Sequence, residues 1–393
     1  MRIVVDGGSW NNQRGFGRFT RELVGGLATH GRHQYTLVVD PMTDEATVPA
    51  RLSVVRASLR RAPALAAAAD GYRSPGDLLR MSRALASTPG DVLFFPCTYT
   101  YVPVFTSRPI VSGVHDTIAE RYPSLIFPSR KARLFWTLKT RAALAQSARV
   151  ITVSNYASRC VRETLGVSEA RVRVINEAPA AVFRPVEAPG VIAAMFERLG
   201  LAPGARVVAY VGGLGPHKNL DRVFAAFASV LTGPGLEDAV LVLVGHHGTD
   251  VFHSAEAELR ARASALCGKQ VLFAGGLSDD ELVLLLNGAR ALVLASLDEG
   301  FGLPAVEAAA CGTPVIATRS SAMPEVLGDA SLYVDPLSET SIADALRQVL
   351  TDDTLREQLG RVASVRARAL TWQHAAETLE RVFDELGPGG GHA

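Results

Sequence analysis

Between Ala291 and Ala317 the chain spells out one complete strand–helix–strand unit. Ala291-Leu-Val-Leu-Ala295 is a short, wholly apolar run and reads as a buried strand. A glycine-flanked loop follows, Gly300-Phe-Gly302. Pro304 has the identity favoured at the first position of a helix, Gly312 closes that helix, and Pro314-Val-Ile-Ala317 is the next strand. The helix has room for only about two turns.

The same alternation runs through both halves. In the first, apolar strands fall at 2–5, 35–39, 53–55, 91–95, 109–114, 149–153 and 171–175. A helix from Phe19 to about His30 follows the first of them, and further helices run from Ser129 to Ala145 and from Ser154 to Leu165. The segment 57–90, rich in Ala and Arg, reads as helices and loops without chemistry. Pro185, Pro189 and Gly190 mark a linker. The second half begins again with strands at 206–211, 239–244 and 271–273, then 291–295, 314–317 and 331–334. Helices between them include Leu220–Leu231, with Asn219 as N-cap, and one opened by Ser278-Asp-Asp-Glu281, a capping box. Strand–helix alternation in each half predicts two doubly wound α/β domains. The expected bounds are 1–187 and 188–371, followed by a separate terminal helix at 372–386 and a disordered tail at 387–393.

Composition narrows the class. A chain of 393 residues has length for two cores. A net charge of +1 gives no pointer to nucleic acid. Cys97, Cys160, Cys267 and Cys311 are scattered without a C-x-x-C pair, which argues against a zinc site or a disulfide framework and fits a reducing, cytoplasmic compartment. Met1-Arg-Ile-Val-Val-Asp enters a strand directly, with no signal peptide ahead of it, and no apolar run reaches about 18 residues. Arg130, Lys131, Arg133, Lys139 and Arg141, interleaved with Leu134, Phe135, Trp136 and Leu138, make a basic amphipathic helix. Such helices lie on membranes or, more commonly, present a solvated face.

Candidate site residues follow the strands. Glu299 lies in the loop after the strand 291–295, and Glu307 within the first turns of the next helix. The two bracket a helix N-terminus, where free N–H groups and the dipole favour an anion. A ligand with phosphate in the middle and a hydroxyl-rich ring at each end fits: one carboxylate takes sugar hydroxyls, the other a ribose diol, and backbone N–H groups of the Phe301-Gly302-Leu303 frame take phosphate. Either acid alone is also accounted for by the helix dipole. Lys218, in Gly212-Gly-Leu-Gly-Pro-His-Lys218-Asn219, stands at another helix N-terminus and would meet a phosphate with an ammonium. It is one of only four lysines, with Lys131, Lys139 and Lys269. In the first half, Gly15-Phe-Gly17-Arg18 ends a long polar loop, a weak glycine signal without the third glycine of a dinucleotide fingerprint. His115-Asp116 sits at the carboxyl end of a strand, where open α/β sheets place ligands.

The spacing Glu299-x7-Glu307 in its Gly-Phe-Gly-Leu-Pro frame resembles the signature of family 4 of the retaining glycosyltransferases, and the resemblance extends over most of the chain. It implies the GT-B fold: two doubly wound Rossmann-like domains facing across a cleft, with the donor mostly on the second and the terminal helix crossing back to the first. It implies a hexose moved from a nucleoside-diphosphate sugar, GDP- or UDP-linked, to an acceptor hydroxyl with retention. Lys218 then neutralises the leaving diphosphate, Glu299 grips sugar hydroxyls and Glu307 the ribose. Gly15 contacts the diphosphate with Arg18 as helper, and His115 positions the sugar as a hydrogen-bond partner rather than a titrating base. Many members carry an arginine about where Gly213 stands; Arg18 or His217 would replace it. No apolar strand ends in Asp-x-Asp, so neither metal nor resident cofactor is expected. The partners are a nucleotide-sugar donor and a sugar-containing or small-molecule acceptor, with no nucleic acid and no required membrane contact. An epimerase of the same fold and a catalytically silent sugar-nucleotide-binding subunit are the alternatives.

Overall fold

The computed structural model describes residues 1–13, 15–60, 74–245 and 253–387, with backbone only for 253–255. The expected tail, past Gly387, and the centre of the Ala- and Arg-rich segment lie outside these residues.

Two compact units result. One is Met1–Glu177 with the segment from Thr371 on; the other is Ala178–Leu370. Seven strands form the first sheet: β1 (Arg2–Asp6), β2 (Gln34–Val39), β3 (Ser53–Arg56), β4 (Val92–Phe95), β5 (Ile110–Gly113), β6 (Ser147–Thr152) and β7 (Val172–Val174). Six form the second: β8 (Arg206–Val211), β9 (Ala239–Val244), β10 (Val271–Gly275), β11 (Ala291–Leu294), β12 (Val315–Thr318) and β13 (Ser331–Val334). The spatial orders are β3-β2-β1-β4-β5-β6-β7 and β10-β9-β8-β11-β12-β13. The pairings are parallel. Each sheet therefore grows in one direction from its first strand, then jumps back and grows in the other. The reversal falls between β1 and β4 in one unit and between β8 and β11 in the other, and such a reversal opens a crevice at the strand carboxyl ends. The central strands carry apolar side chains on both faces, and β4, β11 and β12 are buried along their whole length, because helices cover both sides.

Three boundaries differ from those the sequence predicts. The helix after β1 is Gly15–His30, so Gly15 through Arg18 are its opening turn and not loop. Pro189 starts a helix, Pro189–Arg198, where the sequence suggests only linker; a proline in the first turn gives up an N–H that the helix does not use there. The first unit ends at Glu177 instead of 187. The reason is that residues 184–186 are tied to the second unit: Asn287 Nδ2 donates to Arg184 O at 3.0 Å, and Val186 N donates to Asn287 Oδ1 at 2.7 Å.

The terminal helix, Trp372–Asp384, packs in the first unit against Gly15–His30. A Cβ on Gly26 would stand 2.8 Å from Trp372 O, so only glycine lets the two backbones come this close. Phe383 meets Phe94 edge-on at 5.6 Å. Glu380, 2% exposed, accepts from Tyr35 Oη at 2.8 Å and Arg32 Nε at 3.1 Å. Burial pushes its carboxyl up, but these donors outweigh burial and hold it below the usual range.

Candidate functional site

In the second unit, two loops meet at the reversal between β8 and β11. The loop after β8 carries Lys218 on a single 3₁₀ turn, Pro216–Lys218. The loop after β11 carries Glu299. Lys218 Nζ donates to Glu299 Oε1 at 2.7 Å, and Ser296 Oγ donates to the same oxygen at 2.7 Å. Both contacts use Oε1; among the described residues Oε2 has no hydrogen-bond donor. Burial raises the Glu299 carboxyl, but the Lys218 ammonium, the two hydrogen bonds and the neighbouring His217 more than compensate, so it is held ionised below its ordinary range. The backbones are joined as well, Leu297 N donating to His217 O at 2.8 Å.

Asn219 fixes Lys218 by a route the sequence did not reveal. It is the only non-glycine residue among those described with positive φ, at 62°. Asn tolerates this left-handed conformation better than most side chains. It occupies the N-cap position of Leu220–Leu231, yet its side chain does not cap. Instead Nδ2 donates to Ala295 O at 3.0 Å and to Pro336 O at 2.6 Å, tying the lysine loop to the ends of β11 and β13. Tyr210, buried two residues before the glycine loop, donates to Gly213 O. Burial, then the Glu299 charge, push its phenol well up. Ser296 lay in view, three residues before Glu299.

The helix Leu303–Ala310 begins beside this pair in sequence. Its N-cap, Gly302, has φ 86°, a left-handed conformation that favours glycine, and a Cβ there would have to displace the flexible end of Met323, 2.2 Å away at Cε. No side chain caps this helix, which leaves its tip to backbone donors. Phe301 and Leu303 bury their side chains at 3% and 5% exposure, so what they can present to a ligand is main chain. Glu307 is buried in the helix.

In the first unit, Gly15 opens Gly15–His30 with free space where a Cβ would go. Gly17 is the tighter position: a Cβ would strike Asn12 O at 2.0 Å, so this glycine serves the turn itself. Arg18 is half-buried on the same helix. His115, after β5, is largely buried. Its Nε2 donates to Pro96 O at 2.9 Å, its ring meets Phe19 at 4.4 Å, and Nδ1 lies 3.9 Å from Glu177 Oε1. The Pro96 bond fixes the tautomer with Nε2 protonated. Burial lowers the imidazole pKa against the raising effects of Pro96 and Asp116, so the ring is neutral. Asp116 accepts from Tyr99 Oη at 2.8 Å and Ile118 N at 3.0 Å, and so shapes the loop. The structure thus brings Lys218, Glu299 and His217 together in one unit. Gly15, Arg18 and His115 belong to the other. Glu177 beside His115 is a residue that sequence reading passed over.

Two doubly wound parallel sheets on one chain, each with its loops gathered at a reversal of strand order, define the GT-B class of Rossmann-like proteins. Comparison with known proteins agrees. Sucrose-phosphate synthase from Thermosynechococcus elongatus superposes with a TM-score of 0.76 at 20% identity, over 98% of this chain and 99% of that one. HepE from Anabaena, solved with UDP and glucose, superposes with a TM-score of 0.72 at 17% identity, over 98% and 100%. At these identities the likeness is one of fold. Residues 14–177 match the family described as Glycosyltransferase Family 4, ending at the last residue of the first unit, and residues 191–366 match Glycosyl transferases group 1. The chain therefore carries a glycosyltransferase family 4 domain followed by a glycosyl transferases group 1 domain. Among curated relatives, D-inositol 3-phosphate glycosyltransferase of Corynebacterium jeikeium is 33% identical over 49% of this chain and 46% of its own length. The enzyme of the same name from Acidothermus cellulolyticus is 34% identical over 61% and 54%. The matched region spans about half the length of these relatives. No helix among the described residues is long and apolar enough to cross a membrane.

Proposed function

We propose that this protein transfers a hexose from a nucleoside-diphosphate sugar to an acceptor hydroxyl, with retention at the anomeric carbon and without a metal. The observation that carries the reading is the Lys218–Glu299 pair at the reversal between β8 and β11, 2.7 Å apart and followed by a helix tip without a side-chain cap. An ammonium and backbone N–H groups are what a departing diphosphate needs, and charge preorganised there acts as bonds break. Lys218 meets the diphosphate, Glu299 takes sugar hydroxyls through Oε2, and Glu307 takes the ribose diol. Gly15 and Arg18 contact the diphosphate, and His217 adds to the charge where the family arginine is absent. His115 contacts the sugar through Nδ1, since Nε2 is given to Pro96 O. In the transfer step the C1–O bond to the diphosphate breaks, the acceptor oxygen bonds C1 on the same face, and the acceptor proton passes to a leaving phosphate oxygen. No resident cofactor takes part.

The names of the relatives support a polyol or sugar-like acceptor. The UDP complex of HepE supports a uridine donor, with the guanosine series as the comparison. A cytoplasmic location suits four buried thiols. The test is a thermal-shift series of nucleoside diphosphates and their hexoses with EDTA present, since a ligand bound only by the native state raises Tm. Stabilisation by one base series, lost in Lys218→Ala and Glu307→Ala, is expected. A flat response across all of them sinks the reading.

A further inference from the structure

The helix Arg130–Gln146 of the first unit has two unlike faces. Its inner face buries Thr140, Ala143 and Leu144. Beside them Trp136 Nε1 donates to Glu120 Oε1 at 2.6 Å, and Lys139 Nζ donates to Tyr99 O at 3.1 Å while lying 4.2 Å over the Trp136 ring. The outer face leaves Leu134, Phe135 and Leu138 at 57%, 61% and 54% exposure. Large apolar side chains exposed singly are ordinary; three within five residues on one helical arc are a patch. Arg130 and Lys131 lie one turn before the patch, Arg141 one turn after it and Arg133 at its side, all exposed. None of these four cations is in an ion pair among the described residues, and the helix has no acidic residue. Lys131 Nζ lies 5.8 Å over the Phe135 ring, its stem along the apolar surface and its charge at the rim.

We propose that this face docks the protein on an anionic lipid bilayer, the helix lying in the plane of the interface. Three apolar side chains enter the acyl boundary, and the flanking cations meet lipid phosphates. Charge selects the occupant: a strip of one sign around an apolar centre complements a surface of the opposite sign that has its own apolar layer beneath. The proposal does not depend on glycosyl transfer, and its test does not read transfer.

The experiment is sedimentation of the full-length protein with vesicles of phosphatidylcholine alone and of phosphatidylcholine mixed equally with phosphatidylglycerol. Binding to the mixed vesicles only, weakened by salt, is expected. Leu134→Ser with Phe135→Ser removes most of it, and Arg130→Gln and Arg141→Gln each lower partitioning about fivefold. These positions are exposed, so thermal melts of the variants match the parent and folding is controlled. Equal binding to both vesicle types, no binding to either, or binding that survives the variants overturns the proposal. So does concentration-dependent dimerisation that the Ser variants abolish without vesicle binding.

Discussion

The two units share a topology and use its focal point differently. In the second, the reversal between β8 and β11 brings Lys218 and Glu299 together, with Oε2 of the acid unoccupied by any described donor. In the first, the reversal between β1 and β4 also holds a buried carboxylate, Asp6, but its oxygens accept from Thr100 Oγ1 at 2.8 Å and Gly8 N at 3.1 Å. One carboxylate faces an ammonium that a ligand anion can claim; the other ties its own loops together. The same strand order therefore places an ammonium–carboxylate pair in one unit and a carboxylate bonded to its own loops in the other, and the loop residues make the difference.

That contrast can be broken by experiment. The largest effect is expected at Lys218→Ala, which removes the preorganised cation and lowers the transfer rate about 10²–10³-fold. A steady-state kcat close to that of the parent would erase the distinction. Glu307→Ala comes next. Losing a hydrogen bond to a charged group costs about 1.5–3 kcal/mol, read as weaker donor affinity by titration calorimetry. Asp6→Ala acts on stability instead. It removes the acceptor used by the Thr100 hydroxyl and the Gly8 N–H, lowers stability by about 1–3 kcal/mol in denaturant titration, and leaves nucleotide affinity unchanged.

The smallest effect separates the units by pH. Burial depresses His115 below 6.5, so the unfolded chain takes up a proton that the folded one refuses. Its contribution to stability is full above that value and is lost as pH falls through the folded pKa. Glu299 is depressed below 4.5, so its contribution persists to lower pH before it too is lost on acidification. Melting curves of His115→Asn should differ from the parent in slope just below 6.5, and those of Glu299→Gln only below 4.5. Coincident profiles would mean that neither environment is as described.

The central strands were legible as short apolar runs, because burial on both faces leaves no room for polar alternation, whereas β7 at the sheet edge alternates valine and arginine. Ser278 and Glu281 form the capping box their spacing predicts, both hydrogen bonds being local. Local signals misled where a residue had more than one use. Pro189 ends a linker as readily as it begins a helix. Asn219 has the identity of a cap but spends its side chain on two distant carbonyls. Gly17 looks like a ligand loop and is needed by its own turn. Glu177, Tyr210 and Asp6 gave no signal, since their roles depend on partners far away in sequence.

By itself the sequence determined the alternation of strand and helix in two halves, and with it the fold class, because hydrophobic period and turn chemistry are local properties. It also placed Lys218, Glu299 and Glu307 next to helix starts. Strand order was decided only by tertiary structure. That order brings residues 81 positions apart within 2.7 Å and turns an asparagine into a clasp, and among the described residues the packing leaves Leu134, Phe135 and Leu138 exposed on a basic helix. Which side chains meet is a property of the packed whole, because the contacts that fix it join segments that no sequence window spans.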